Sequence, residues 1–153
     1  MAVSVNPFDP RSVLLAKHAQ HVVLIHFPIA LCLVSIVFDF IAQWTKKRAL
    51  VEMAYYNLLV AAISTVPVMA TGLLAWRWQL EGQRLKGTLL LRLVLGVASS
   101  GMIWLLWSLH FRAHRNPAGK LPVYRLPIEI AAATFVSQTA HLGGFLSGVN
   151  GPG

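Results

Sequence analysis

The sequence predicts an all-α integral membrane protein, a bundle of four transmembrane helices with both termini on the same side of the membrane. Hydrophobic residues make up 56% of the 153-residue chain and charged residues only 12%, whereas a soluble domain has about 25% charged residues. The hydrophobic residues also form four blocks, and a block of about 20 residues can cross the hydrocarbon core of a bilayer. Lipid offers an open strand no hydrogen-bond partners, so the blocks are expected to be helices.

The predicted spans cover residues 22–44, 53–78, 88–111 and 126–149 of a single membrane domain, 1–153. The basic run Lys46–Arg48 ends the first span, and the tract that follows the third contains proline and glycine, which predict a loop. Pro67 lies inside the second span, where we expect a kink. Residues 11–20 mix apolar and basic side chains, which favours a short interfacial helix or an extension of the first span.

The net charge of +8 would suggest nucleic acid as the partner of a soluble protein. Here the basic residues lie between apolar blocks, where they contact lipid headgroups, so we predict no nucleic-acid binding. Four spans place both termini on one side, called side A; the opposite side is called side B. Side B carries the larger group of basic residues, namely Lys46, Lys47, Arg48, Arg112, Arg115, Lys120 and Arg125. This excess predicts a multi-pass protein of the bacterial inner membrane with periplasmic termini.

Several classes of chemistry are not supported. Cys32 is the only cysteine, which excludes a disulfide framework, and no CxxCH motif is present for covalent haem. It is expected to act as a small buried hydrophobic residue. The sequence contains no nucleophile elbow, phosphate loop or HExxH motif, and its five acids show no usable paired spacing. These observations favour an electron-transfer or accessory subunit over a stand-alone enzyme.

Two histidines carry the main functional hypothesis. His26 lies about one turn inside the first predicted span, and His141 lies about two turns before the end of the fourth. Both ends face side A, so a rise of 1.5 Å per residue places the two imidazoles at a similar depth, roughly 6–12 Å below one surface. Two histidines at equal depth on different helices of a bundle suit the axial positions of a b-type haem iron. Taken singly, each histidine is better explained by an ordinary polar contact.

Two arginines near side A could bind the haem propionates, since a guanidinium can bind a carboxylate through two hydrogen bonds. These are Arg77, between Trp76 and Trp78, and Arg92, just inside the third span. In the alternative interpretation both arginines extend to the headgroups, and the tryptophans belong to the interfacial aromatic belt. The alternative is the better account of Arg77, and Arg92 is evenly balanced between the two.

Other polar and small residues receive structural explanations. Asp39 is expected to pair with Lys46, Lys47 or Arg125 at side B, with proton transfer as the alternative. His110 and His114 have a spacing that can hold a metal, but the arginines beside them favour a solvated basic rim. His18 and His21 are expected to be exposed to water. Alternatively, one of them could replace His26 as an iron ligand or contribute to a second metal site. Small residues such as Gly96 and Ser100 predict close helix contacts, and Gly143 and Gly144 could also make room for a flat cofactor.

The string His18-x-x-His21-x-x-x-x-His26-Phe-Pro-Ile-Ala-Leu31 resembles a bacterial family of predicted four-helix membrane proteins with an H-F-P-I-A-L signature. Further matches are Phe38-Asp39, Ala54–Tyr56, Gly87–Leu89 and His141–Gly144, so the resemblance spans about residues 18–149. The family is of unknown function, and some relatives are linked to cytochrome c-like domains, which implies membrane electron transfer. The resemblance assigns its two motif histidines to His26 and His141. Many relatives carry a histidine soon after Gly-Thr-Leu, where this chain has Leu90.

The sequence therefore predicts a haem b-binding subunit that transfers electrons within a larger membrane complex. His26 and His141 would ligate the iron, and Arg92 and Arg77 would bind the propionates. The expected partners are lipid and other membrane subunits, with a c-type cytochrome or a quinone as electron partner. The main alternative is a non-redox structural or accessory subunit, and a small transporter is a weaker one, because inverted repeats and a run of acids are missing.

Overall fold

A computed structural model describes residues 17–79, 87–116, 122 and 124–146 of the chain. Within these ranges, the side chains of residues 17–23, 75, 77–79, 88–89 and 142–146 lie outside the description. Several predicted features therefore fall outside the described residues: the start of the segment 11–20, most of the loop after the third span, the side chains of His18 and His21, and the surroundings of Gly143 and Gly144.

The described residues form four α-helices and no strands, which confirms the predicted all-α bundle. The helices are α1 (Lys17–Thr45), α2 (Arg48–Gln79), α3 (Thr88–Arg115) and α4 (Arg125–Leu146). Helix α1, as described, begins at Lys17, before the predicted span, so residues 17–20 belong to it. Residues 11–16 lie outside the described residues, and the choice between an interfacial helix and an extension stays a prediction. Pro28 lies inside α1 and Pro67 inside α2, and both helices continue through the proline.

The connection between α1 and α2 is much shorter than the predicted tract of residues 45–52. Only Lys46 and Lys47 separate the two helices. Lys46 has a φ of 56°, the left-handed conformation that commonly ends a helix, and its backbone N–H donates to the Ala42 carbonyl at 2.8 Å. This tight turn makes α1 and α2 antiparallel neighbours.

The four helices form a ring in which α1 contacts α2, α2 contacts α3, α3 contacts α4, and α4 contacts α1. One buried apolar cluster joins all four, formed by Cys32, Leu58, Ala61, Ala62, Ile103, Leu106, Ala132 and Val136. Cys32 is fully buried, as expected of a small hydrophobic residue. A Cβ added to Gly96 or Gly101 would meet nothing within 4 Å. The prediction that small residues such as Gly96 mark a close helix contact is therefore wrong for Gly96, and Gly101 of the same helix makes no close contact either.

Three helical segments are long and apolar enough to cross a membrane: Leu24–Thr45, Arg48–Leu74 and Leu90–Arg115. Within the described residues, α4 does not meet the same measure of length and hydropathy. Its 22 residues extend about 33 Å at 1.5 Å per residue. Helix α4 is therefore long enough to accompany the other three, and its crossing of the bilayer stays a prediction. Large hydrophobic side chains such as Val37, Ile63 and Val97 are exposed on the outer surface, as lipid contact requires.

A pair of hydroxyls joins α3 to α4 in the half of the bundle nearer side A. The Ser99 and Thr139 oxygens are 2.7 Å apart and buried, and the Thr139 hydroxyl also lies 3.2 Å from the Leu95 carbonyl of α3. Polar contacts of this kind are a common means of helix association in lipid. Helix α3 therefore contacts α4 at Ser99, about one turn from Gly96, where the close contact was predicted.

We expect Ser99→Ala to lower the free energy of unfolding by about 0.6 kcal/mol, the typical value of an interhelical hydrogen bond in a membrane protein. Ser108→Ala is the matched control, because the Ser108 hydroxyl donates to Leu105 of its own helix. Denaturant titration in detergent, followed by tryptophan fluorescence, measures both variants. Equal losses for the two would contradict a specific α3–α4 contribution.

Candidate functional site: a buried Asp–His–Glu cluster

Three ionisable side chains from three helices meet inside the bundle near side B. They are Asp39 of α1, His110 of α3 and Glu129 of α4, with exposed fractions of only 1%, 2% and 1%. One ligand atom from each lies within 4.8 Å of the other two. Buried ionisable groups in a membrane protein are costly and usually functional, so this cluster is the leading candidate site among the described residues.

The imidazole of His110 is fixed by two hydrogen bonds. Its Nδ1 lies 2.9 Å from the Leu106 carbonyl oxygen, and because a carbonyl can only accept, Nδ1 carries a proton and donates. Its Nε2 lies 2.6 Å from Asp39 Oδ2. A carboxylate and the lone pair of an imidazole nitrogen would repel at this distance, so one proton must lie between Nε2 and Oδ2 and make one of the two atoms a donor.

Three carboxylate oxygens of the cluster accept no hydrogen bond: Asp39 Oδ1 and both oxygens of Glu129. Arg125 Nε lies 3.4 Å from Glu129 Oε1 in an ion pair one turn apart on α4. This pair offsets part of the charge but does not supply a hydrogen bond. Buried polar atoms without partners are uncommon in folded proteins, so the oxygens indicate a missing proton or cation.

The spacing of buried positions explains how the helices bring these residues together. On α1, Pro28, Cys32, Ser35, Asp39 and Ala42 are buried, at alternating intervals of four and three residues. This is one face of a helix, and Asp39 lies on it. On α4 the buried positions at the same intervals are Arg125, Glu129, Ala132, Val136 and Thr139. Each acid therefore faces the interior because it belongs to the packing stripe of its own helix.

Two sequence-based predictions are corrected by this cluster. Asp39 was expected to pair with Lys46, Lys47 or Arg125, but its partner is His110. His110 was expected in a solvated basic rim, but it is buried. His114, the other histidine of that predicted rim, is exposed and stacks on Tyr55 with ring centroids 4.6 Å apart. The paired carboxylates that no linear spacing revealed are Asp39 and Glu129, 90 residues apart in sequence. The sequence pattern that could have revealed this pair is the position of each acid on the buried stripe of its own helix.

The residues predicted to bind haem lie elsewhere. The side chains of His26 and His141 are both exposed, and each is off the buried stripe of its helix. Arg92 is half-buried, and the side chain of Arg77 lies outside the described residues. No described contact joins His26 to His141, so haem ligation by this pair stays a prediction.

Their levels along the bundle do agree. Asp39 and Glu129 lie side by side and so fix the register of α1 against α4. His26 precedes Asp39 by 13 residues, and His141 follows Glu129 by 12. At 1.5 Å per residue these separations are about 20 and 18 Å. The two histidines therefore lie at nearly the same level, toward side A, on neighbouring helices.

Comparison with known proteins identifies one family. Residues 17–151 match the model of the family described as predicted membrane protein (DUF2231). No curated protein and no solved structure matches the chain.

Proposed function

The chain belongs to the DUF2231 family of predicted membrane proteins, and we propose that it is a haem b-binding subunit that transfers electrons within a larger membrane complex. The observation that carries this proposal is the matched level of His26 and His141 on the neighbouring helices α1 and α4. When bound, the haem would supply a one-electron redox centre. His26 and His141 would ligate its iron, and Arg92 would offer a guanidinium to a propionate, with Arg77 as a second cation.

The exposure of both histidines decides where a haem would fit. Because His26 and His141 are exposed and off the buried stripes, a haem that they ligate would lie on the outer surface of the bundle, not in its core. A haem there would be covered on its open side by lipid or by a second membrane subunit. The need for such a cover supports the proposal that the chain works with partners. The proposed partners are other membrane subunits, and the electron partner is a c-type cytochrome or a quinone.

The proposed orientation places side B in the cytoplasm of a bacterium and both termini in the periplasm. Lys46, Lys47 and Arg48 lie at side B, are all exposed, and adjoin the turn between α1 and α2. Arg112 and Arg115 add two exposed cations near the end of α3. Basic residues near span ends favour the cytoplasmic side, which supports an inner-membrane location.

The alternative function is a non-redox structural subunit of a membrane complex. It is favoured by one specific observation, the exposure of His26 and His141, because a subunit without a cofactor needs no ligands directed into the bundle. The numerous exposed apolar side chains of α1, α2 and α3 provide surface for lipid and for partner helices.

A reduced-minus-oxidised visible spectrum of the purified full-length protein, supplied with haem during expression, tests the cytochrome proposal. We expect the sharp α-band of a low-spin b-type haem at about one haem per chain, since a bis-histidine site is saturated by a single iron. His26→Ala and His141→Ala should each remove most of this signal. His114→Ala is the control, because His114 is an exposed histidine at the opposite end of the bundle.

Two outcomes would remove the haem proposal. One is a flat spectrum from a folded, haem-supplied preparation that elutes as a single species. The other is a haem content that stays the same in His26→Ala and His141→Ala. Either result leaves the structural subunit as the better account.

A further inference from the structure

We propose that Asp39, His110 and Glu129 bind one divalent transition-metal ion, of the type represented by Zn²⁺, at the side-B end of the bundle. Imidazole nitrogen and carboxylate oxygen are both normal zinc ligands, with bonds of about 2.0–2.2 Å. The three ligand atoms already lie within 4.8 Å of one another, so small rotations of the side chains would bring them around one ion. This site is separate from the proposed haem, which lies about 18–20 Å away toward side A by helix rise.

The orientation of His110 is that of a metal ligand. Histidines that bind metals usually donate their second ring N–H to a carbonyl or carboxylate, which fixes the ring and directs the other nitrogen at the metal. His110 Nδ1 makes this bond to the Leu106 carbonyl at 2.9 Å. Its Nε2 is thereby directed at Asp39 and toward the middle of the cluster.

The unpartnered oxygens are the second, independent observation. Glu129 is 1% exposed, and neither of its oxygens accepts a hydrogen bond. Asp39 Oδ1 likewise accepts no hydrogen bond. A cation among the three side chains would give these oxygens the partner they lack. A divalent ion would also neutralise the two carboxylates when the imidazole is uncharged, and Arg125 would remain beside Glu129 Oε1.

Metal binding at this site releases a proton. The ion takes the position of the proton shared by His110 Nε2 and Asp39 Oδ2, and that proton passes to solvent. Protons and metal therefore compete for the same atoms, and we expect the affinity for Zn²⁺ to fall as the pH is lowered.

The test uses the full-length protein in detergent, purified without a polyhistidine tag and stripped with a chelator. Zn²⁺ is titrated against a chromophoric competitor, and Co²⁺ is used as a spectroscopic probe of the ligand set. We expect one ion per chain. Asp39→Asn, His110→Gln and Glu129→Gln should each weaken binding at least about 100-fold, because even loss of a residue that only supports a metal ligand costs about 10- to 100-fold.

Matched controls separate this site from other metal-binding groups. Glu52→Gln removes an exposed acid of α2, and His114→Ala removes an exposed histidine of α3; both should bind Zn²⁺ like the wild type. The double variant His18→Ala/His21→Ala should also bind normally. Far-UV circular dichroism and elution as a single species establish that each variant is folded, and the three ligand variants provide independent tests if one fails to fold.

Three results would overturn the proposal. The first is a folded wild-type protein that binds neither Zn²⁺ nor Co²⁺, which would make the cluster a proton site only. The second is binding that survives in folded Glu129→Gln and His110→Gln. The third is binding that is lost only in His18→Ala/His21→Ala, which would locate the metal at the start of α1.

Discussion

We expect His110→Leu to lower the free energy of unfolding of the metal-free protein by about 3–5 kcal/mol, the usual cost of removing one member of a buried charged pair. Leucine fills much of the space of the imidazole, so the loss is mainly electrostatic. The variant removes the hydrogen bond between His110 Nε2 and Asp39 Oδ2 and leaves the Asp39 carboxylate close to Glu129, another acid. Denaturant titration of the chelated protein in detergent, followed by circular dichroism, measures the change.

The double variant Asp39→Leu/His110→Leu provides the decisive comparison. Replacing both members of a buried pair by apolar residues is often neutral or stabilising, so we expect it to recover most of the stability that His110→Leu loses. Glu52→Leu removes an exposed acid and should change stability little. A single variant within about 0.5 kcal/mol of the wild type, the range of ordinary surface substitutions, would show that the pair does not contribute to stability.

The second large effect has the opposite sign. We expect Glu129→Met to raise the free energy of unfolding of the metal-free protein by about 1–3 kcal/mol, the cost of an unsatisfied buried polar group. Methionine is unbranched and flexible, so it can fill the space of the glutamate. The variant also removes the repulsion between Glu129 and Asp39, at the expense of the 3.4 Å ion pair with Arg125. Because Arg125 is the first residue of α4, its guanidinium can extend to the headgroups at side B when this pair is lost, so it does not stay buried as an unpaired charge.

A comparison of the wild type with Glu129→Met also links stability to metal binding. At a Zn²⁺ concentration 100 times the dissociation constant, a one-site protein gains about 2.7 kcal/mol, so wild type should become more stable while Glu129→Met does not. Glu52→Met, at an exposed acid, should show no gain in the absence of metal. A loss of stability in metal-free Glu129→Met would mean that Glu129 is satisfied without a metal, by Arg125 or by a proton shared with Asp39, contrary to the expected cost of its oxygens.

A buried acid such as Glu129, whose oxygens accept no hydrogen bond and whose one ion pair among the described residues is with Arg125, is characteristic of a functional site. By contrast, Ser35 and Thr65 are buried polar residues whose hydroxyls donate to carbonyls of their own helices. Thr65 Oγ1 also accepts a hydrogen bond from Trp104 Nε1 of α3 at 3.1 Å, so both hydroxyls have partners. The oxygens of Glu129 and Asp39 Oδ1 accept no hydrogen bond.

The helices could be predicted from the sequence because lipid imposes one rule on every span. A long apolar segment has to satisfy its backbone internally, so α1, α2 and α3 follow from composition and length alone. The ends were harder to predict. The turn at Lys46 and Lys47 was expected to be several residues longer. No residue type in this stretch indicates that a lysine would adopt the left-handed backbone conformation seen at Lys46.

The candidate site depended on tertiary structure. The sequence by itself determined the four helices, the buried character of Cys32 and the basic side-B end, since these depend on residues that are close in the chain. Only the packing of α1, α3 and α4 brought Asp39 to His110, 71 residues later, and both to Glu129. The physical reason is that helix rotation and register are set by side-chain packing between neighbouring helices in lipid, where hydrophobicity cannot distinguish one apolar face from another.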